Sequence, residues 1–206
     1  MPNYPLSFPG VGVKRSSFRL KRIVGVSESP FTGTQQIYRF AGEWWEGDVT
    51  FRPCKRADAS LIQSFLAQLR GSSGTFLYGD PDALNQGVMG SGGVIRVNGD
   101  AQAGNSLIVD GMTPLAQNIL LPGDYFQLGG GMSSRLYMCT SSLNADGAGG
   151  GVVNFEPALR ASPLDNELLI LSNPKTLMRL TENVAEWSSD SHGWFDGLSL
   201  SFREVL

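Results

Sequence analysis

The apolar and polar positions along this chain alternate in short runs that predict many strands and one helix. Trp45, Gly47, Val49 and Phe51 fall on one side of an extended segment, and Glu46, Asp48 and Thr50 on the other. That is a half-buried strand whose acidic side faces water. Just before it, Gln36, Tyr38 and Phe40 alternate with Ile37 and Arg39, and a turn at Ala41-Gly42 would make the two runs a hairpin. Ser17 to Val26 alternates less cleanly, with Phe18, Leu20 and Arg22 on one face and Arg19, Lys21 and Ile23 on the other. Leu61, Ile62, Phe65, Leu66 and Leu69 recur at helical spacing and predict a helix over about 59–70. Asp58 is placed to cap it, Arg70 sits in its last turn and Gly71 can supply a left-handed stop. A strand over 74–78 follows, ending at the turn Gly79-Asp80-Pro81-Asp82.

The character changes at Asn85-Gln86-Gly87 and Gly90-Ser91-Gly92-Gly93, which read as a flexible joint. Beyond it, short strands are expected over 94–97, 106–109, 124–128, 135–140, 152–155 and 168–171. Gly129-Gly130-Gly131 and the glycine-rich run 147–151 supply turns between them. This spacing suits a small β-barrel or sandwich. Asn173-Pro174 marks its exit, and Leu198, Leu200 and Phe202 against Ser199, Ser201 and Arg203 form a last half-buried strand. An end strand after an inserted module often returns to the first sheet. The expected fold is therefore mostly β with one amphipathic helix. An outer β-sandwich or split-barrel domain is built from 1–90 and 173–206, with a small β-barrel inserted at 91–172.

The first forty residues, broken by Pro5, Pro9, Gly10, Gly12, Gly25, Pro30 and Gly33, read as an arm with short strands. In its first part Tyr4, Leu6 and Phe8 alternate as an extended peptide would and have no obvious local partner, which makes them candidate interface residues. Trp44 and Trp45 are adjacent, so in a strand they point to opposite sides, and one belongs to the core. Trp44 and Trp194 join the interface candidates, since exposed aromatics mark protein interfaces and sugar-binding faces alike.

Composition narrows the functional classes. The 206 residues hold 26 glycines and 11 prolines, which suits a β chain rich in turns, and are long enough to bury a core without staples. Formal net charge is −3 with no basic stripe, so sequence-independent nucleic-acid binding has little support, and no specific nucleic-acid binding is expected. A weakly acidic surface is compatible with lining a channel that passes DNA. No run of 18 apolar residues suggests a membrane helix, and the start Met1-Pro2-Asn3-Tyr4-Pro5 does not resemble a signal peptide. Cys54 and Cys139 lie far apart, leaving open two buried free thiols or one disulfide.

Catalytic and metal chemistry finds little purchase. The single histidine, His192, sits in the polar turn 189–193, and no serine stands in a strained elbow motif. Three Cys and His residues in all, widely spaced, do not make a zinc site. Asp80 and Asp82 lack the rest of a calcium loop, and Gly147 to Gly151 neither opens a helix nor precedes Lys-Ser/Thr. Glu43 and Glu46 could serve as paired carboxylates or as a solvated hairpin. No enzyme activity, cofactor or metal is expected.

Several stretches together resemble a known family. Gly42-Glu43-Trp44-Trp45-Glu46-Gly47 with Val49-Thr50-Phe51, a helix, and then Gly74-Thr75-Phe76-Leu77-Tyr78-Gly79-Asp80-Pro81 are similar to the front half of small distal tail proteins of long-tailed bacteriophages. Gly123-Asp124-Tyr125-Phe126-Gln127-Leu128, Arg135-Leu136-Tyr137 and Phe155-Glu156-Pro157-Ala158-Leu159-Arg160 resemble that family's inserted module. Leu180-Thr181-Glu182-Asn183, Glu186-Trp187 and Leu198-Ser199-Leu200-Ser201-Phe202-Arg203-Glu204 resemble its closing strand. The resemblance implies a structural virion protein made in the host cytoplasm and built into the tail tip. It implies a ring of six copies around a central DNA channel, touching the tail tube protein, the tail hub and other tail-tip proteins. The inserted barrel would be similar to an oligonucleotide/oligosaccharide-binding fold. Two other classes compete: a carbohydrate-binding module using Trp44, Trp45 or Trp194, and a tail-associated hydrolase using His192 or Glu43.

Overall fold

The computed structural model describes residues 2–81, 83, 85, 87, 93–189 and 193–206, and it is mostly β with one amphipathic α-helix. The alternating segment around Trp45 belongs to a strand much longer than its pattern suggested. β1 (Leu6–Ser7) and β2 (Val13–Glu28) are followed by β3 (Gln35–Phe51), and β2 and β3 pair along almost their whole length. The hairpin turn therefore lies between Ser29 and Thr34, closed by Ser29 N to Thr34 O and Gly33 N to Ser29 O at 2.9 Å each. This corrects the turn expected at Ala41-Gly42, which is instead an irregularity inside β3. It also corrects the reading of 13–28 as short strands. Glycine there misled the turn assignment: Gly42 permits a close approach of Ile23, whose Cδ1 would lie 2.7 Å from a Cβ at this position.

β4 (Cys54–Lys55) leads into α1 (Arg56–Leu69). The helix starts three residues earlier than expected, with Lys55 at the N-cap, and Asp58 lies in its first turn without capping it. There its carboxylate still complements the positive end of the helix dipole. Arg70 takes the left-handed conformation at the end, φ 52°, ahead of Gly71. The buried stripe is Ala59, Ile62, Phe65, Leu66 and Leu69; Leu61, expected in it, faces outward. The spacing i, i+3, i+6, i+7, i+10 selects the first set, and Leu61 stands on the edge of that arc.

β5 (Phe76–Tyr78), β11 (Thr176–Leu180) and β14 (Ser199–Glu204) complete a six-stranded sheet in the order β1-β5-β11-β14-β3-β2. Both ends of the chain thus share one sheet. Its inner face, with Trp45, Val49, Phe51, Phe76, Met178 and Phe202, packs on α1 in one hydrophobic core. β12 (Ser188–Ser189) and β13 (Trp194–Asp196) form a small sheet with β4.

The middle of the chain forms a second core around Phe126, Tyr137 and Phe155, whose rings meet at 5.1–5.3 Å. It is covered by a five-stranded sheet of β6 (Gly93–Val97), β7 (Ser106–Met112), β10 (Gly151–Glu156), β9 (Arg135–Cys139) and β8 (Tyr125–Leu128), in that order. The expected strand 168–171 is a pair of isolated bridges, Arg96 with Leu168 and Gln127 with Ile170. Those bridges reach both edges of the sheet, so the segment spans from β6 to β8 and curls the sheet on itself. The joint expected at Gly90-Ser91-Gly92 lies outside the described residues, as do Asp82 and His192.

A buried polar node links the two cores. Glu204 Oε2 accepts from Trp45 N and from Arg160 Nη2, each at 3.1 Å, and Thr176 Oγ1 donates to Oε1 at 3.1 Å. Arg160 belongs to the second core's surroundings and Glu204 to the six-stranded sheet. Trp45 Nε1 adds a bond to Leu136 O at 2.9 Å, and Glu43 Oε1 accepts from Ala158 N at 2.8 Å.

Candidate functional site

Three surfaces carry the residues singled out by the sequence. The first is the N-terminal arm. Tyr4, Leu6 and Phe8 do have a local partner, contrary to expectation: all three pack on the core of their own chain. Tyr4 Oη donates to Gln68 O at 2.7 Å, and Leu6 sits opposite Phe76 in the parallel pair β1–β5. The Phe8 ring lies among Phe51, Phe65, Phe76 and Tyr78, with centroids 4.6–6.1 Å away. The arm alternates as an extended peptide because it is the edge strand of its own sheet.

The second surface is the outer face of that sheet. Trp45 turns inward and is buried, while Trp44 is half-buried on the opposite face. Lys21 Nζ lies over the Trp44 ring, 5.6 Å from its centroid. Glu46 Oε1 accepts from Arg19 Nε at 2.9 Å, and its Oε2 accepts from Trp44 Nε1 at 3.2 Å. Asp48 accepts from Arg19 Nη1 at 2.8 Å and from Ser201 Oγ at 2.7 Å. Burial alone would raise the Glu46 carboxyl, but the bonds from Arg19 and Trp44 and the charges of Lys21 and Arg19 outweigh it and hold it low. The Ser201 and Arg19 bonds likewise hold Asp48 low. Glu43 pairs with Arg22 at 3.3 Å besides its bond to Ala158 N, so both carboxylates once weighed as an acid/base pair are tied into the fold. Trp194 is on β13, beside Pro53, Ser188 and Asp196, with Lys55 Nζ 5.7 Å from its ring. Trp44 and Trp194 line different clefts and form no common platform.

The third surface was missed by the sequence reading. In the far half of the β2–β3 hairpin, Val24 opposes Arg39, Gly25 opposes Tyr38 and Val26 opposes Ile37. Alternation puts Val24, Val26 and Ile37 on one face of the ribbon and Tyr38 on the other. All are exposed, as are Ile23 and Phe40, and Phe31 in the turn is 94% exposed. The signal was present: Val24, Val26 and Ile37 flank Ser29-Pro30-Phe31-Thr32-Gly33-Thr34, a plausible turn between two apolar alternations.

Cys54 and Cys139 are both buried and both free. Among the described residues no group of three or more His, Cys, Asp or Glu side chains converges as a metal site would require. None of the described helices is long and apolar enough to cross a membrane. No family model matches the chain, and no curated protein matches it either.

Proposed function

We propose that this chain is a non-enzymatic structural subunit of a long-tailed bacteriophage tail tip. Copies of it, six in the reading that the family resemblance implies, form a ring around the DNA channel between the tail tube and the tail hub. The observation that carries this reading is the far half of the β2–β3 hairpin. A two-stranded ribbon has no third strand or helix to shelter it and is marginal in water. Here it presents Val24, Val26 and Ile37 on one face and Tyr38 on the other, all exposed in the single chain. Apolar side chains on both faces of one ribbon call for cover on both sides. A neighbouring copy in a ring gives that cover, because a head-to-tail contact that closes by rotation uses each hairpin once. β2 is also one of the two edge strands of the six-stranded sheet, and an unpaired edge is a second reason for a neighbour.

The test is made on assembled particles. Cryo-microscopy of tails containing this chain should show it as a ring coaxial with the tail, each hairpin lying against the next copy. Replacing 23–41 by a two-residue Asn-Gly turn should leave the body folded and abolish incorporation. Finding the chain as isolated monomers on the capsid or the host surface would overturn the proposal.

A further inference from the structure

Across the outer face of the six-stranded sheet runs a row of charges: Arg19 opposite Glu46, Glu46 opposite Arg203, and Arg203 opposite Arg179. Like charges directly opposed on neighbouring strands repel, with their Cβ atoms only about 5 Å apart. On the same face Arg19 is matched by Glu46 and Asp48, and on the opposite face Arg22 is matched by Glu43 and Glu156. Arg179 and Arg203 form no ion pair among the described residues. The carboxylate nearest in register, Glu46, is already taken by Arg19, Trp44 and Lys21. Glu204, the neighbour of Arg203, turns to the other face and binds Arg160, Trp45 and Thr176. Arg179 Nε is buried with no hydrogen-bond partner, so a donor already removed from water is left unused. The two arginines line a cleft of about 270 Å³ together with Trp44, Glu204, Val205 and Leu206.

We propose that this cleft is an oxyanion-binding site, in which a carboxylate or phosphate is held between the guanidinium groups of Arg179 and Arg203, flanked by Trp44 and Val205. The arginine fork matches the geometry of such groups and can bind them through two parallel bonds. An anion there removes the repulsion between the paired cations and supplies the acceptor that the buried Nε lacks. The site stands independently of the assembly reading.

The experiment is calorimetric titration and thermal melting of the full chain with inorganic phosphate, and separately with the blocked peptide acetyl-Glu-Glu-Glu-amide. Both are run against sodium chloride at equal ionic strength. Saturable binding to at least one probe is expected, with a raised melting temperature that chloride does not reproduce. Arg203→Gln and Arg179→Gln should each weaken it at least tenfold. Arg19→Gln, whose guanidinium already has two carboxylates, should leave it unchanged. Tighter binding of the peptide identifies the anion as an acidic side chain of a protein partner, and tighter binding of phosphate identifies a free oxyanion. Since Arg203 is exposed, Arg203→Gln should fold even if Arg179→Gln does not. Absence of saturable binding to either probe, or undiminished binding in Arg203→Gln, would overturn the proposal.

Discussion

The polar node at Glu204 is the most exacting place to test how the two cores are joined. In the pair Arg160–Glu204 the side chains are 13% and 0% exposed, and the atoms are 3.1 Å apart. Glu204→Leu removes the only carboxylate that pairs with Arg160 among the described residues, and also orphans Trp45 N, while Thr176 Oγ1 keeps Ser134 O as an acceptor at 3.2 Å. Breaking a buried pair from one side typically costs about 3–5 kcal/mol, because the remaining charge stays buried without compensation. Glu204→Gln keeps the shape and one acceptor and should cost less, about 1.5–3 kcal/mol for the lost charged hydrogen bonds. The double change Arg160→Met/Glu204→Leu removes both charges and leaves only the neutral donor Trp45 N unsatisfied, about 1–3 kcal/mol. It should therefore be no worse than the single Glu204→Leu, giving a strongly non-additive cycle. Urea unfolding, followed by tryptophan fluorescence and near-ultraviolet circular dichroism, reads all four proteins. A Glu204→Leu cost below about 1 kcal/mol, or additivity within about 0.5 kcal/mol, would refute the idea that this pair couples the modules.

Other changes probe the rest of the fold. Phe65→Ala should cost about 3–5 kcal/mol by leaving a cavity between α1 and the sheet, measured by the same urea titration. Gly47→Ala should cost about 1–3 kcal/mol, since the new Cβ would lie 2.3 Å from Ser17 O and 3.1 Å from the Phe202 ring. Glu46 and Asp48 are both held low in the folded protein, so their contribution is fully present above the unfolded-state carboxylate range, about 4. It is lost as pH falls through the lower folded values; the urea midpoint should drop in that window, and less steeply in Asp48→Asn. Burial, with Asp124 nearby, pushes the Cys139 thiol up to about 12, and burial then Asp58 raise Cys54. Neither should react with a thiol reagent at neutral pH until urea unfolds the chain, after which both should.

Much of this architecture was legible because local pattern and tertiary role agree. The alternation at 45–51 gave the inner face of β3, and the helical spacing of Ile62, Phe65, Leu66 and Leu69 gave α1. The glycine-rich turns bounded most of the second core's strands. The failures have a common origin in pairing, which a single segment does not display. Tyr4, Leu6 and Phe8 looked unpartnered because their partners, Gln68, Phe76 and Tyr78, are more than sixty residues away. Thr176–Leu180 was overlooked as a strand; with buried neighbours on both faces its alternation vanishes, and Arg179 alone hints at an outer side. The charge row and the Glu204 node were invisible for the same reason. Each needs the register of at least two strands.

The irregularity in the long hairpin also sets where its far end points. Between the pairs Arg22–Glu43 and Val24–Arg39, β2 contributes Ile23 alone while β3 contributes Phe40, Ala41 and Gly42. The longer strand must travel further than its mate, so the ribbon bends and twists there. The surplus is two residues, an even number, so the in–out parity of the far ribbon matches that of the near one. Deleting both surplus residues would straighten the projection and keep its faces. Deleting one would leave a single surplus residue in β3, an ordinary bulge, and Val24 and Val26, on the strand without surplus, would keep their face. The reach of the ribbon is thus governed by its length, and its aim by a three-residue hinge with Gly42 at its base.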